Sequence, residues 1–280
     1  SRGLGDVYKR QQSIVGSTQS SQGNNMHSDS FDLSLYFRRI GYSGPAAADT
    51  ATLHALMRHQ LFSIPFENLD VQAGKIVSME PDDIANKLLR QRRGGYCYEL
   101  NGLFTMALEA LGIAWRFVAA RPMFYPARRP KTHMAVVAEV DGRQWLCDLG
   151  FGSYGIRAPL ALDELDTDII QDFDTFRLTR DANGSYLLQA RVEGSWANQY
   201  GFDLSPQEWI DFVPANFLNS THPDAVFVQK LLVIQHQPEG RFILLGNMLK
   251  SITADRVEKQ WLTEDEIAHA LENRFALSAR

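Results

Sequence analysis

Three side chains, Cys97, His133 and Asp148, supply the residue types of a nucleophilic centre built on a thiol. In such a centre a carboxylate binds one nitrogen of the imidazole, and the other nitrogen then faces the thiol and takes its proton. This chemistry requires that all three groups meet at one place. Whether they meet depends on the helices and strands that carry these three side chains.

The segment around Cys97 predicts a helix. Apolar residues recur at helical spacing as far as Leu111, and Gly112 follows where a helix stop is expected. We therefore expect the helix to begin near Tyr96, after a flexible turn at Gly94-Gly95. The unpaired N–H groups and the positive end of the helix dipole favour an anion such as a thiolate in its first turn. The helix alone is equally consistent with a cysteine that only fills the core.

The segment 132–150 predicts a β-hairpin. Asp141-Gly142 stands between two apolar runs, which is typical of a two-residue type I′ turn. This turn fixes the register and places Ala135 opposite Asp148, on the same face of the ribbon as His133. Diagonal neighbours on one face lie about 7–8 Å apart at the backbone. The imidazole and the carboxylate are therefore within reach of each other.

The second cysteine, Cys147, points to the opposite face of this hairpin, which leaves Cys97 as the thiol that the pair can serve. Neither cysteine belongs to a CxxC or histidine-rich cluster, so no metal site is expected. Two cysteines also form no disulfide scaffold, and we expect a cytoplasmic protein in a reducing compartment.

The composition is that of a soluble globular protein. The chain has 280 residues, of which 45% are hydrophobic and 22% charged, and its net charge is −5. A mildly acidic chain is a poor candidate for nucleic-acid binding. No apolar run reaches the roughly 18 residues of a membrane span, and no signal peptide is evident, so neither nucleic acid nor membrane is an expected partner.

The patterns divide the chain into five parts. Residues 1–25 are polar and aperiodic, which predicts a disordered leader or expression remnant. Helical patterns fill 26–112, and strand patterns with Asn-Gly and Glu-Gly turns fill 113–204, as a mostly antiparallel sheet or small barrel. A connector with a short helix at 206–209 occupies 205–225. In 226–280 we expect strands at 226–236, 241–245 and 250–254, then a helix opened by the capping box at Thr263.

At this point the motifs resemble the arylamine N-acetyltransferases of bacterial type, from Met26 to the C-terminus. Leu149 stands where valine is usual in that family, which leaves the chemistry intact. The resemblance rests on Phe31-Asp32-Leu33, 64–70, Arg93–Asn101, Thr132-His133-Met134, 148–152 and 219–223.

The resemblance implies an α+β fold with an N-terminal helical bundle, a central antiparallel β-barrel and a C-terminal α/β lid, around a Cys-His-Asp core like that of cysteine proteases. It implies acetyl-CoA as donor, arylamines, hydrazines or N-hydroxyarylamines as acceptors, and a place in xenobiotic metabolism. Implied as catalytic are Cys97, His133 and Asp148, as coenzyme contacts Thr132, Phe151 and Gly152, and as substrate contacts Phe66 and Phe124.

Two other functions stay open. A cysteine hydrolase or transglutaminase-type enzyme uses the same order of Cys, His and Asp. A non-catalytic binding domain would use Cys97 as a core residue. Oligomeric state, the acceptor amine and the preferred acyl-CoA do not follow from the sequence.

Overall fold

The computed structural model describes residues 26–152 and 154–277. The predicted leader, 1–25, lies outside the described residues. No helix in the described ranges is long and apolar enough to cross a membrane.

The N-terminal part is helical, and its helices begin at capping residues that the sequence displays. Asp32 accepts the N–H of Leu35, and Asp49 accepts the N–H of Thr52, at the starts of the first two helices. The elements are α1 (Leu33–Ile40), α2 (Thr50–Ser63), β1 (Phe66–Glu67), α3 (Leu69–Gln72), α4 (Pro81–Ala85), a π-helical segment (Asn86–Arg90) and α5 (Cys97–Ala110).

The helix that carries Cys97 has the predicted limits. Tyr96 is its N-cap and Leu111 its C-cap, and Gly112 follows with a φ of 71°. The residues from Cys97 to Leu108 are all buried. A helix that is apolar on all sides belongs inside the molecule, so α5 forms the centre around which the other elements pack.

An antiparallel sheet of eight strands follows, in the order β5-β4-β3-β2-β9-β8-β7-β6. Within the described ranges the two end strands each pair with a single neighbour, and the predicted closure into a barrel stays a prediction. The strands are β2 (Ala114–Pro122), β3 (His133–Val140), β4 (Arg143–Cys147), β5 (Leu160–Ala161), β6 (Ile169–Gln171), β7 (Asp174–Arg180), β8 (Tyr186–Val192) and β9 (Ser195–Phe202).

The predicted register of the β3–β4 hairpin is confirmed. Val140 pairs with Arg143 and Val136 with Cys147. Asp141 and Gly142 have φ values of 52° and 72°, as a type I′ turn requires. The short turn thus sets which residues of the two strands share a face.

A second antiparallel sheet has the order β1-β10-β11-β12-β13. Its first strand, Phe66–Glu67, comes from the N-terminal part, where the sequence indicated helices. The C-terminal elements are a 3₁₀ turn (Trp209–Phe212), α6 (Val213–Thr221), α7 (Val226–Gln229), β10 (Leu232–Gln237), β11 (Gly240–Leu245), β12 (Met248–Thr253), β13 (Val257–Trp261) and α8 (Glu264–Asn273).

Two expectations for the C-terminal part were wrong. The single strand at 226–236 is a short helix, Val226–Gln229, followed by a strand, because Val-Phe-Val is compatible with either state in so short a run. The helix expected at 206–209 lies further on, at Val213–Thr221, with Pro214 in its first turn.

The strand Val257–Trp261 was not predicted, since it is exposed throughout and shows no alternation.

A buried ionic cluster joins the two sheets. The wholly buried Arg157 donates from Nε to Asp172 (2.7 Å), in the turn between β6 and β7. Its Nη2 donates to the carbonyl of Gln237 (2.6 Å), at the end of β10. Nearby, Arg241 of β11 pairs with Asp174 of β7 at 2.5 Å. One ion pair, Arg241 with Asp174, and the hydrogen bond of Arg157 to Gln237 therefore connect the two sheets.

Replacing Arg157 with methionine is expected to lower the free energy of unfolding by about 1–3 kcal/mol, because the hydrogen bonds of a wholly buried guanidinium to Asp172 and to the carbonyl of Gln237 are lost. The matched control is Arg143→Met, which removes the exposed pair with Asp163 and is expected to cost at most about 1 kcal/mol. Urea unfolding curves of both variants measure the difference. Equal losses of unfolding free energy in the two variants would contradict a structural role for the buried Arg157.

Candidate active site

Cys97 is the first residue of α5 and is only 3% exposed. The backbone of Gly150, which follows the β3–β4 hairpin, lies directly against it. A methyl group at position 150 would come 2.3 Å from Cα of Cys97. Only glycine permits this approach, and it brings the end of the hairpin to the start of the helix.

The imidazole of His133 and the carboxylate of Asp148 are in contact, with Nε2 2.7 Å from Oδ2. Both side chains are buried. The side chain of Cys97 lies close enough to the ring to raise the pKa of His133, and both residues line the same cleft. The structure thus brings together the three residues that the sequence singled out, through the hairpin register predicted for them.

The charge state of His133 follows from these neighbours. Burial has the largest influence and would lower its pKa. The charge of Asp148, its hydrogen bond to the ring and the nearby side chain of Cys97 act in the opposite sense and together raise the pKa to about 10. The imidazole is therefore protonated at neutral pH, the state in which it stabilises a neighbouring thiolate.

Asn101, one helical turn after Cys97, is a site residue that sequence reasoning missed. Its Nδ2 donates to Oδ1 of Asp148 (3.1 Å) and to the carbonyl of Met134 (2.7 Å), and its Oδ1 accepts the N–H of Leu149 (2.9 Å). The signal was its i+4 spacing from Cys97, which places both on one helix face. Asn101 therefore fixes the carboxylate relative to the helix.

The residue before the histidine is also held in place. The carbonyl of Thr132 accepts hydrogen bonds from the hydroxyl of Tyr98 (2.9 Å) and from Nδ2 of Asn219 (3.0 Å). These donors come from α5 and α6. The start of β3, and with it His133, is thus tied to two helices.

A cleft opens above Cys97, and Thr132, His133, Phe124 and Phe151 lie in its wall. The ring of Phe151 is 5.0 Å from that of His133 and 5.7 Å from that of Phe124. These flat apolar surfaces next to a thiol suit a small aromatic ligand.

Two of the other predicted contacts lie further back. Phe66 is buried behind the cleft, its ring 5.9 Å from that of Phe227, which does line it. Gly152 follows Phe151 with a φ of 110°, and its carbonyl is 3.3 Å from Nε2 of His236. Their substrate and coenzyme roles stay predictions.

The glycine pair before the helix serves close packing rather than flexibility. A methyl group at Gly94 would lie 2.1 Å from the carbonyl oxygen of Pro65, and one at Gly95 would lie 2.6 Å from Oε2 of Glu99. The carbonyl of Gly95 accepts the N–H of Glu67 at 2.9 Å. The pair therefore seats the start of α5 against β1.

Among the described residues, no group of three or more His, Cys, Asp or Glu side chains is arranged to hold a metal ion. Cys147 is completely buried, and burial raises the pKa of its thiol far above the usual value. Cys97 is thus the cysteine that faces the cleft.

Gly150→Ala is expected to push the hairpin away from the helix and to slow the alkylation of Cys97 by iodoacetamide at least tenfold, because the added methyl group overlaps the backbone of Cys97. The control is Gly201→Ala, whose methyl group meets only the Met123 sulfur closely, at 3.1 Å. Alkylation rates at constant pH measure both. Unchanged labelling of the Gly150 variant would contradict the close approach.

Asp148→Asn is expected to lower the pKa of His133 from about 10, because the burial that remains favours the neutral ring. In the wild type the imidazolium persists through neutral pH and is lost as pH rises through that value. In the variant it is lost at lower pH. Titration of the histidine C2 proton by NMR, between about pH 5 and 11, measures the shift, and equal midpoints would show that Asp148 does not hold the charge.

Comparisons with known proteins identify the family of the chain. A family model described as N-acetyltransferase matches residues 49–280. An arylamine N-acetyltransferase of Escherichia coli is 34% identical over 246 residues, 86% of this chain and 82% of the relative. The enzyme structure from Mycobacterium abscessus matches with a TM-score of 0.86 and 30% identity, over 94% of this chain and 95% of that one. A Mycobacterium marinum arylamine N-acetyltransferase structure in complex with CoA matches with a TM-score of 0.83 and 31% identity, over 88% and 93%. The chain belongs to the arylamine N-acetyltransferase family.

Proposed function

We propose that this transferase moves an acetyl group from acetyl-CoA to a small arylamine, arylhydrazine or N-hydroxyarylamine by way of an acetyl group on Cys97. The observation that carries the proposal is a buried imidazole that is hydrogen-bonded to a carboxylate and lies beside the thiol at the start of α5. The family membership and the CoA complex of a relative support the choice of donor.

In the first half-reaction, the thiolate of Cys97 attacks the thioester carbonyl carbon of acetyl-CoA. The new carbon–sulfur bond forms at Cys97, the bond to the CoA sulfur breaks, and His133 donates a proton to the departing thiolate. One thioester replaces another, so this step is close to balanced in energy and reversible. Asp148 and Asn101 keep the ring in position throughout.

In the second half-reaction, the acceptor nitrogen attacks the acetyl carbonyl on Cys97. An arylamine is weakly basic and reaches the site uncharged at neutral pH, with its lone pair available. His133, neutral after the first half-reaction, takes the proton from the nitrogen while the sulfur leaves as a thiolate. The product is an amide, more stable than a thioester, so the transfer proceeds in this direction.

The cleft accounts for the shape of the acceptor. Phe151 and Phe124 give edge-on and flat apolar surfaces beside His133. An aromatic ring placed there sets its amino group towards Cys97. We assign Phe124, with Phe66 behind the cleft, to the acceptor ring, and Thr132, Phe151 and Gly152 to the coenzyme, which shares the entrance in a ping-pong reaction.

A cysteine hydrolase is the second candidate, since it uses the same three groups. A hydrolase must bring water to the acyl-cysteine. The thiol here is 3% exposed, and the rings of Phe151 and Tyr200 pack on His133 at 5.0 and 5.1 Å. These apolar walls favour an aromatic acceptor over water.

Incubation with acetyl-CoA alone is expected to leave one acetyl group on Cys97, detected by the intact mass and by peptide mapping. Cys97→Ser should carry none and lose almost all transfer activity, because an oxygen ester does not exchange readily with a thioester. Cys147→Ser is the matched control and should acetylate normally, since that thiol is fully buried. An unmodified wild type that cleaves peptide or amide substrates would favour the hydrolase.

A further inference from the structure

A second buried ionisable group lies in the first turn of α5, two residues beyond Cys97. Glu99 is 2% exposed. Its Oε2 accepts the N–H of Tyr96 at 3.0 Å and closes the first turn. Its Oε1 lies 2.6 Å from Nζ of Lys87, which comes from the π-helical segment and also pairs with Asp70 at 2.6 Å.

This arrangement poses an electrostatic problem for the site. A carboxylate buried within one helical turn of a thiol opposes the formation of a thiolate, and it does so strongly where water is excluded. The hydrogen bond of Glu99 to Tyr96 is useful all the same, because it satisfies an N–H group that the helix leaves unpaired. The negative charge therefore needs a counter-charge.

We propose that Lys87 is a positioning residue for the transfer reaction: it cancels the charge of Glu99, so that Glu99 can close the helix turn under Cys97 without disfavouring the thiolate. This inference rests on the proposed function, in which Cys97 reacts as a thiolate. It adds a residue outside the cleft to the set that controls the reactivity of the sulfur.

Lys87 is suited to this role by its surroundings. Its side chain is 12% exposed, and in the part of the chain described here it is the cation paired with Glu99. Burial lowers its pKa, but the charges of Glu99, Glu67 and Asp70 outweigh burial and raise the pKa above the usual value. Lys87 thus stays charged at neutral pH, while burial raises the pKa of Glu99 against the opposing effect of Lys87.

The other charged and titratable groups near this turn are accounted for. Arg93 pairs with Glu67 (2.8 Å) and shares Asp70 with Lys87 (3.3 and 2.6 Å), so among the described residues Lys87 is the cation in contact with Glu99. The other titratable groups that face Cys97 and Glu99 include His133 and Asp148, the phenols Tyr96 and Tyr98, Glu67, and, in the cleft, Tyr125, Arg129, His222 and Asp224.

The proposal predicts opposite effects for two single substitutions. Lys87→Met leaves Glu99 unbalanced and should raise the pH midpoint of Cys97 alkylation by roughly one unit. Glu99→Gln removes a negative charge near the sulfur, while Lys87 keeps its charge and its pair with Asp70, and should lower the midpoint. The double variant Lys87→Met/Glu99→Gln should return close to the wild-type value, since the glutamine oxygen still accepts the N–H of Tyr96.

The experiment measures the rate of alkylation by iodoacetamide as a function of pH for the full chain and these three variants. The control is Lys75→Met, which removes the same charge from an exposed lysine in the same groove that has no ion pair with Glu99. Its midpoint should equal that of the wild type. A purely structural role would move both single variants in the same direction or neither, and either result overturns the proposal.

Two further results keep the test decisive. Where Lys87→Met does not fold, Glu99→Gln decides: a lower midpoint supports the proposal, and an unchanged or higher one overturns it. Acetylation of wild-type Cys97 by acetyl-CoA is measured in parallel. An adduct with unshifted midpoints defeats this inference alone, whereas shifted midpoints without an adduct defeat the proposed function and leave the charge balance supported.

Discussion

The site depends on the close approach of two backbones, that of Cys97 at the start of a buried helix and that of Gly150 at the end of a hairpin. No side chain fits between them, so the helix and the hairpin meet without a gap. Asn101 then links the two elements by three hydrogen bonds. The distance from sulfur to imidazole is thus set by rigid elements rather than by loops, which favours a preorganised nucleophile.

Three buried charged pairs recur as a common feature of the described residues. His133 faces Asp148, Lys87 faces Glu99, and Arg241 faces Asp174. Unpaired ions would be expensive at such sites, whereas paired ones fix the geometry of the elements that carry them. The same rule therefore orients the reactive histidine, closes the helix under the cysteine and joins the two sheets.

Much of this was accessible from the sequence, because the decisive signals were local. The Asp141-Gly142 turn fixed the register that brings His133 to Asp148, and the apolar periodicity located α5. The features that the sequence did not predict depend on contacts with residues far away in the chain. Phe66–Glu67 is a strand only because β10 lies beside it, and Asn101 is a site residue only because the hairpin packs on its face of the helix. The strand Val257–Trp261 is exposed throughout, so its sequence lacks the alternation of apolar and polar residues that predicts a strand.

The pairing of Phe66–Glu67 with Ile234 and Val233 joins the early part of the chain to its last third. A ribosome must therefore translate most of the protein before that edge can be occupied. Until then the nascent polypeptide presents an uncovered Phe66, and contacts of such long sequence separation form slowly. This edge of the fold therefore forms late in synthesis, a constraint imposed by topology and not by the chemistry at the sulfur.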